Sequence, residues 1–141
     1  YHLTTKEFAQ QLKDILNPGG LLLTNIVDSF QKGTFLPSYI RTLREVFGDR
    51  NVHLISISPD FENMGISTFI VVAGKGKTDI GDFEKYIKNL GGATTSAVVP
   101  EGLLNELLSK RYSVLLTDDY APVDNLIAPV FEERFGYNRK N

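Results

Sequence analysis

In the first part of the chain, the spacing of the hydrophobic positions changes from one segment to the next, and each spacing predicts one secondary-structure element. Apolar residues at helical spacing between positions 8 and 16 predict a helix, started by a capping box at Thr4 and Glu7 and stopped by the turn at 17–20. The run 21–27 is continuously apolar at its start. This pattern is typical of a strand covered on both faces, and such strands are usually parallel and central in their sheet.

The next segments predict one more helix and a pair of strands. Pro37 suits the first residue of a helix, and Gly48 suits its stop. The runs 52–58 and 66–73 are rich in β-forming residues and are separated by a short turn, so they are expected to pair antiparallel.

The rest of the chain is less regular, and it follows a linker at 74–78. We expect four elements here: a helix starting at Asp79, a leucine-rich helix at 103–108, a short strand or extended segment at 113–116, and a last helix at 127–135 that Pro129 interrupts or opens. These features predict two parts, residues 1–74 and a helical extension of residues 75–141 packed on the same core.

Composition narrows the functional classes. The 141 residues are 42% hydrophobic, enough for one domain with a core, and the net charge of -2 does not predict nucleic-acid binding. Because there is no cysteine, disulfides, thiol catalysis and cysteine-ligated metals are excluded. No apolar run reaches the roughly 18 residues that span a membrane.

Two polar motifs have simple alternatives to a catalytic role. Residues 74–78 end in Gly-Lys-Thr, but Val71 stands where a phosphate-binding loop needs its first glycine, so a solvated linker is expected. Asp118, Asp119 and Asp124 could hold a cation, cap a turn and helix, or face a substrate. The glycine and distal glutamate of a calcium loop are absent, and no metal site is predicted.

Asn25 and Asp28 lie at the carboxyl end of the predicted central strand. In open α/β sheets, ligands bind in the crevice outside these strand ends, so both are candidate ligand contacts. Alternatively, Asn25 satisfies loop backbone and Asp28 begins a turn.

Residues 3–8 (Leu-Thr-Thr-Lys-Glu-Phe) and 16–25 (Leu-Asn-Pro-Gly-Gly-Leu-Leu-Leu-Thr-Asn) resemble the spermidine/spermine synthase family. More loosely, they are similar to class I S-adenosylmethionine-dependent methyltransferases, and residues 116–124 resemble the C-terminal end of synthase-like proteins. The resemblance implies an α/β fold: the C-terminal half of a Rossmann-like methyltransferase sheet. It would contain one parallel-type strand, an antiparallel pair, flanking helices and a C-terminal α/β extension.

The same resemblance implies substrate contacts. The family carries a polar residue at the position of Asn25, and a tyrosine in the turn where this chain has Asp60 and Phe61, so a hydroxyl is lost. Carboxylates of Asp28, Asp60 and Asp119 would hold a polycationic amine. The predicted substrate-binding residues are Asn25, Asp28, Asp60, Phe61, Asp119 and Tyr120.

The resemblance also implies an incomplete active site, because the family's glycine-rich loop, ribose-binding acid and base would precede residue 1. We therefore expect part of a spermidine synthase-like aminopropyltransferase, or of a related S-adenosylmethionine-dependent transferase, inactive as the isolated chain. No catalytic residue and no bound cofactor is predicted in the chain alone; the parent would bind S-adenosylmethionine or its decarboxylated form. The alternative is a non-enzymatic α/β module that binds a partner or ligand.

The expected partners are the missing N-terminal half of the same domain, a second copy paired through the sheet edge, and a small amine. A cytoplasmic location is expected, with the parent soluble or anchored to a membrane and this domain on the cytoplasmic side.

Overall fold

The computed structural model describes residues 2–92 and 94–136. Within these residues, five α-helices and four strands alternate in part. In order they are α1 (Lys6–Ile15), β1 (Leu21–Ser29), α2 (Phe35–Phe47), β2 (Val52–Ser56), β3 (Ile66–Gly74), α3 (Ile80–Asn89), β4 (Ala97–Val98), α4 (Glu101–Lys110) and α5 (Val123–Phe135). None of the helices in these residues is both long enough and apolar enough to cross a membrane.

The four strands form one antiparallel sheet in the order β1-β3-β2-β4. The predicted pair is confirmed, with Leu54 of β2 opposite Val71 of β3. β1 runs along the other side of β3, where Leu21 faces Gly74. The α/β class and the placement of the first strand beside the antiparallel pair are therefore confirmed. The short strand β4 was not predicted.

β1 lies at the edge of the described sheet, and only one of its faces is covered. Ile26 and Asp28 are buried on the face that meets the helices, whereas Leu21, Leu23 and Val27 on the other face are 49%, 62% and 49% exposed. The expectation of a strand covered on both faces is wrong for the described residues. Its continuous apolar character fits burial on two sides, but within the described residues the side with Leu21, Leu23 and Val27 stays open.

The core lies between the sheet and α2, and the second part of the chain adds to it. Fully buried residues of α2 such as Leu36, Ile40 and Leu43 share one cluster with Phe69 and Val71 of β3. The later segments contribute Val99, Leu104, Leu107, Leu116 and Leu126. The division at residue 74 stays a prediction; residue 93 and residues 137–141 of the predicted extension lie outside the described residues.

The segment 113–116 was predicted as a short strand or extended segment, and it joins no strand ladder. Two hydroxyls of α2 hold it instead: Val114 N donates to Ser38 Oγ at 3.1 Å and Leu116 N donates to Thr42 Oγ1 at 3.0 Å. Both hydroxyls also donate to carbonyls one turn back, those of Thr34 just before α2 and of Ser38, at 2.7 and 2.8 Å. The bonds to Val114 N and Leu116 N, the first partly buried and the second buried, satisfy backbone groups that a strand partner would otherwise satisfy.

The predicted helix starts need correction. Thr5, not Thr4, caps α1, because its Oγ1 accepts from Phe8 N at 3.3 Å. The carboxylate of Glu7 does not complete a capping box; it accepts from Asp118 N at 3.0 Å. The start of α1 is thus tied to a segment over a hundred residues away, which no local pattern indicates.

The bounds of two other helices also differ from expectation. α2 begins two residues before Pro37, and α5 begins at Val123 and contains Pro129 in its interior. Gly48 ends α2 and Asp79 caps α3, as predicted.

The predicted linker is anchored where it begins. Lys75 N donates to Gly20 O at 2.9 Å, Gly19 N donates to Lys75 O at 3.1 Å, and the Lys75 ammonium donates to Leu16 O at 2.8 Å. Gly19 has a φ of +74°, a conformation that favours glycine. The turn before β1 and the residue after β3 therefore fasten the same end of the sheet.

Candidate functional site

Two loops meet at the end of the sheet where β1 and β2 finish. The loop after β1 carries Phe30 and Gln31, and the turn between β2 and β3 carries Phe61 and Glu62. The rings of Phe30 and Phe61 pack edge to face with centroids 4.9 Å apart, and Gln31 Nε2 donates to the Glu62 carbonyl oxygen. These contacts join the two loops into one surface.

An open cavity of about 210 Å³ lies between these loops and α4. Its lining includes Phe30, Gln31, Glu62, Leu107, Lys110 and Arg111. Its position beside the carboxyl ends of β1 and β2 matches the place where ligands bind in open α/β sheets. It is the candidate functional site of the chain.

Asp28 lies at the base of the loop after β1 and is completely buried. Its Oδ2 accepts from Leu36 N at 2.7 Å, and its Oδ1 accepts from Ser29 N at 2.8 Å. A Cβ at Gly33 would stand 2.0 Å from Asp28 Oδ1, so the carboxylate requires a glycine there. Asp28 therefore places a negative charge at the N-terminal turn of α2, where the helix dipole favours one.

Burial raises the pKa of Asp28 above its ordinary value of 3.8. The backbone N–H groups of Leu36, Ser29 and Phe35 and the positive charge of Arg111 act in the opposite direction but do not outweigh burial. The carboxyl positions the loop that borders the cavity. Direct contact of Asp28 with an amine stays a prediction.

Phe61, which stands where the resembling family has a tyrosine, is buried at 5% exposure. Its ring supports Phe30 at the border of the cavity. The neighbouring Asp60 is exposed on the turn, and its Oδ1 accepts from Asn63 Nδ2 at 2.6 Å. Both residues lie on the turn that carries Glu62.

Asn25 lies on the other face of the sheet. Side chains alternate along a strand, and Asn25 is exposed on the same face as Leu23 and Val27, while Asp28 is buried on the helix-covered face. Any substrate bound by Asn25 would therefore approach the open face of β1.

Asp119 and Tyr120 are exposed on a separate tight turn. The backbones of Thr117 and Tyr120 exchange two hydrogen bonds of 3.0 Å, and the adjacent Asp118 accepts from Thr5 Oγ1 at 2.7 Å. The turn is thus fixed beside the start of α1. The structure gathers Asp28, Asp60 and Phe61 at one end of the sheet and places Asn25, Asp119 and Tyr120 elsewhere. The substrate contacts of all six residues stay predictions.

Arg111, the residue that follows α4, was not predicted. Its Nε and Nη2 atoms are buried and have no hydrogen-bond partner among the described residues. An arginine after an amphipathic helix usually interacts with the last carbonyls or with solvent, so its burial in a cavity wall has no local sequence signature. On α4, Glu106 forms an ion pair with Lys110, the residue directly before Arg111.

His53 forms a second polar cluster away from the cavity. Burial lowers its pKa, with the nearby Arg44 acting in the same direction and Glu101 in the opposite one. Its Nε2 is buried and has no hydrogen-bond partner among the described residues. Arg44 donates from Nη1 to Asn105 Oδ1 at 2.7 Å, which joins α2 to α4. Within the described residues, no group of three or more histidine, aspartate or glutamate side chains could hold a metal ion.

Comparison with known proteins supports the fold. A solved structure described as a probable spermidine synthase from Corynebacterium glutamicum superposes with a TM-score of 0.57 at 21% sequence identity. The match covers 84% of this chain but 42% of that protein. No family model and no curated protein matches the sequence. The chain therefore has a spermidine synthase-like fold, which extends over less than half the length of the matching protein.

Proposed function

We propose that the chain is part of a spermidine synthase-like aminopropyltransferase, or of a related S-adenosylmethionine-dependent transferase. The main support is the observation that its spermidine synthase-like sheet carries a cavity beside the carboxyl ends of β1 and β2. In open α/β folds this is the end where ligands bind.

The open side of β1 suggests where the rest of such a protein would lie. β1 has no strand neighbour on its outer edge within the described residues, and its outer face exposes Leu21, Leu23 and Val27. Such a surface is suited to burial against further elements. Asn25 would reach an amine only at that junction, which agrees with a site that two parts of the domain complete together.

In aminopropyl transfer, the nitrogen of the amine attacks the carbon next to the sulfonium of decarboxylated S-adenosylmethionine. A carbon–nitrogen bond forms, the carbon–sulfur bond breaks, methylthioadenosine leaves and a base takes the proton of the amine. Positioning of both reactants and the base supply the rate enhancement. In this proposal, the described chain orients the amine, and the cofactor and base are held by other residues of the parent protein.

Calorimetric titration tests this proposal. Methylthioadenosine and spermidine are titrated into this chain and into the full-length gene product. We expect both ligands to bind the full-length product and neither to bind the chain alone. Failure of both ligands to bind either protein would overturn the proposal. Binding of a ligand to the isolated chain would show that the site does not need another part of the protein to complete it.

The role of Asn25 is tested in the full-length product. Asn25→Ala should weaken spermidine binding and leave methylthioadenosine binding unchanged. The exposed Asn89 at the end of α3 provides a matched control, since Asn89→Ala should affect neither ligand. An equal loss of spermidine affinity in the two variants would show that Asn25 is not part of the site.

A non-enzymatic binding module is the second candidate function. The exposed apolar face of β1 favours it, because such faces mark contacts with other proteins as well as with missing parts of a domain. A full-length product that forms a stable complex with another protein and binds no S-adenosyl ligand would support this candidate.

A further inference from the structure

We propose that the contact between α2, β2 and α4 around His53 is an acid-sensitive switch, in which protonation of His53 loosens α4. Because residues of α4 form one wall of the cavity, release of this helix would open the cavity. The proposal concerns this chain by itself and does not depend on the transferase function.

His53 lies on β2 with one ring nitrogen enclosed. Its Nε2 is buried and has no hydrogen-bond partner among the described residues. The residue opposite it on β3 is Val72, an apolar side chain that is itself 3% exposed. A charged imidazolium would carry an N–H donor at Nε2, and burying an unpaired charged donor costs more free energy than burying the neutral ring.

Two charged side chains from the neighbouring helices act on His53. Glu101, in the first turn of α4, favours a positive charge on the ring, and Arg44 of α2 opposes it. Asp49, just after α2, and Glu101 also act on Arg44. Burial is the largest of the effects on His53, so the pKa of its ring in the folded chain lies below the ordinary value of 6.5.

The attachment of α4 is the point where an added charge would act. Arg44 donates from Nη1 to Asn105 Oδ1 at 2.7 Å, and this bond joins α2 to α4. The Nε and Nη2 atoms of Arg44 are buried as well, so repulsion between Arg44 and a protonated His53 is weakly screened by water.

α4 is held less firmly than the helix it contacts. Its first turn has no side-chain cap, and only Leu104 and Leu107 of this helix are buried, whereas most residues of α2 are buried. Elements with few buried apolar side chains open at a lower free energy than the rest of the fold. We therefore expect α4 to be the element that yields when His53 is protonated.

The pH dependence follows from the lowered pKa of His53. When α4 is released the ring meets water and its pKa returns toward 6.5, so the released state takes up a proton that the closed state does not. Release should become easier as pH falls through 6.5, by up to about tenfold per pH unit. The raised pKa of Asp28 favours the folded chain at low pH and so acts in the opposite direction.

Amide hydrogen exchange tests the switch on the unchanged chain. Protection factors are measured for the amides of α4 and β3 between about pH 5 and about pH 7.5. We expect α4 to be less protected than β3, which shows that it opens separately, and its protection to fall as pH is lowered. Constant protection of α4, or protection equal to that of β3, would overturn the proposal.

Substitution of the two histidines assigns the effect to one of them. His53→Gln carries no titratable ring, so the pH dependence of α4 protection should disappear. His2 is the other histidine of the chain and its side chain is 81% exposed, so His2→Gln is the matched control and should keep the native pH dependence. An unchanged dependence in His53→Gln, or its loss in His2→Gln, would contradict the role of His53.

NMR titration of the His53 ring in the native chain tests the same assignment without a substitution. The midpoint of the titration should lie below 6.5. A midpoint at or above 6.5 would show that the closed structure does not oppose protonation, and the proposal would fail.

Discussion

At the scale of single residues, Asp28 shows how a polar side chain at a strand end can act through the loop it holds. Its position suggests a ligand contact, yet its oxygens accept from Leu36 N and Ser29 N in the interior. Gly33 is needed because any side chain there would collide with the carboxylate. The loop that carries Phe30 to the cavity is thus shaped by a buried acid.

The raised pKa of Asp28 predicts a specific pH dependence of stability. Between pH 3.8 and the higher pKa of the folded state, the unfolded chain loses the proton while the folded chain keeps it. The free energy of unfolding should therefore fall as pH rises through this interval. Asp28→Asn removes the effect, so the stability of the variant relative to the native chain should increase with pH in urea unfolding.

Asp28→Ala provides the comparison for the hydrogen bonds. It also removes the titration, but it leaves the N–H groups of both Leu36 and Ser29 without an acceptor, whereas the single carbonyl oxygen of Asn serves one of them. Asp28→Ala should therefore cost about 2 kcal/mol more than Asp28→Asn. If the difference in free energy of unfolding between the native chain and Asp28→Asn stays constant across this pH range, burial does not raise the pKa of the Asp28 carboxyl.

At the scale of elements, hydroxyl groups on helices replace strand pairing for the segment near residue 116. Ser38 and Thr42 of α2 accept from its backbone N–H groups, and Lys6 N at the start of α1 donates to Leu116 O at 2.8 Å. Thr5 adds a bond to Asp118. These contacts fix α1 against the later part of the chain.

Thr5→Val should lower the free energy of unfolding by about 1–2 kcal/mol. The valine has nearly the same shape, but it neither accepts from Phe8 N nor donates to Asp118. Urea unfolding of this variant is compared with that of Thr5→Ser, which keeps the hydroxyl and should lose less. Equal losses in both variants would assign the effect to packing of the methyl group instead.

At the scale of the whole molecule, the asymmetry of the sheet is the main feature. Within the described residues, β4 pairs with β2 at one edge, whereas β1 at the other edge has a single strand partner and an apolar outer face. Unpaired strand edges can pair with another chain. We propose that the isolated chain forms a homodimer through this edge.

Sedimentation equilibrium tests the proposed dimer. The isolated chain should show a concentration-dependent dimer, and Leu23→Lys should shift it to monomer, because lysine on an edge strand opposes pairing with a second copy. Ile15→Lys is the control, since Ile15 is equally apolar and exposed but lies on α1. A native chain that stays monomeric, or an equal loss in both variants, would contradict pairing through β1.

The sequence by itself determined the elements whose cause is local. Helical spacing predicted α1 and α2, Gly48 and Asp79 marked a helix end and a helix start, and the β-rich runs around a short turn predicted β2 and β3. Periodicity, caps and turns depend on residues a few positions apart, so they are visible in one sequence. The resemblance in residues 3–25 added the spermidine synthase-like fold that the structural match supports.

Only the tertiary structure decided which surfaces stay open and which side chains meet. Three features depend on segments far apart along the chain: the exposed face of β1, the anchoring of residues 113–116 on α2, and the burial of Arg111 Nε and Nη2 without a hydrogen-bond partner among the described residues. The apolar run of β1 indicates that its faces are suited to burial, but it does not reveal what buries them. The position of α4 relative to two loops fixes the cavity, and no spacing within the sequence encodes that contact.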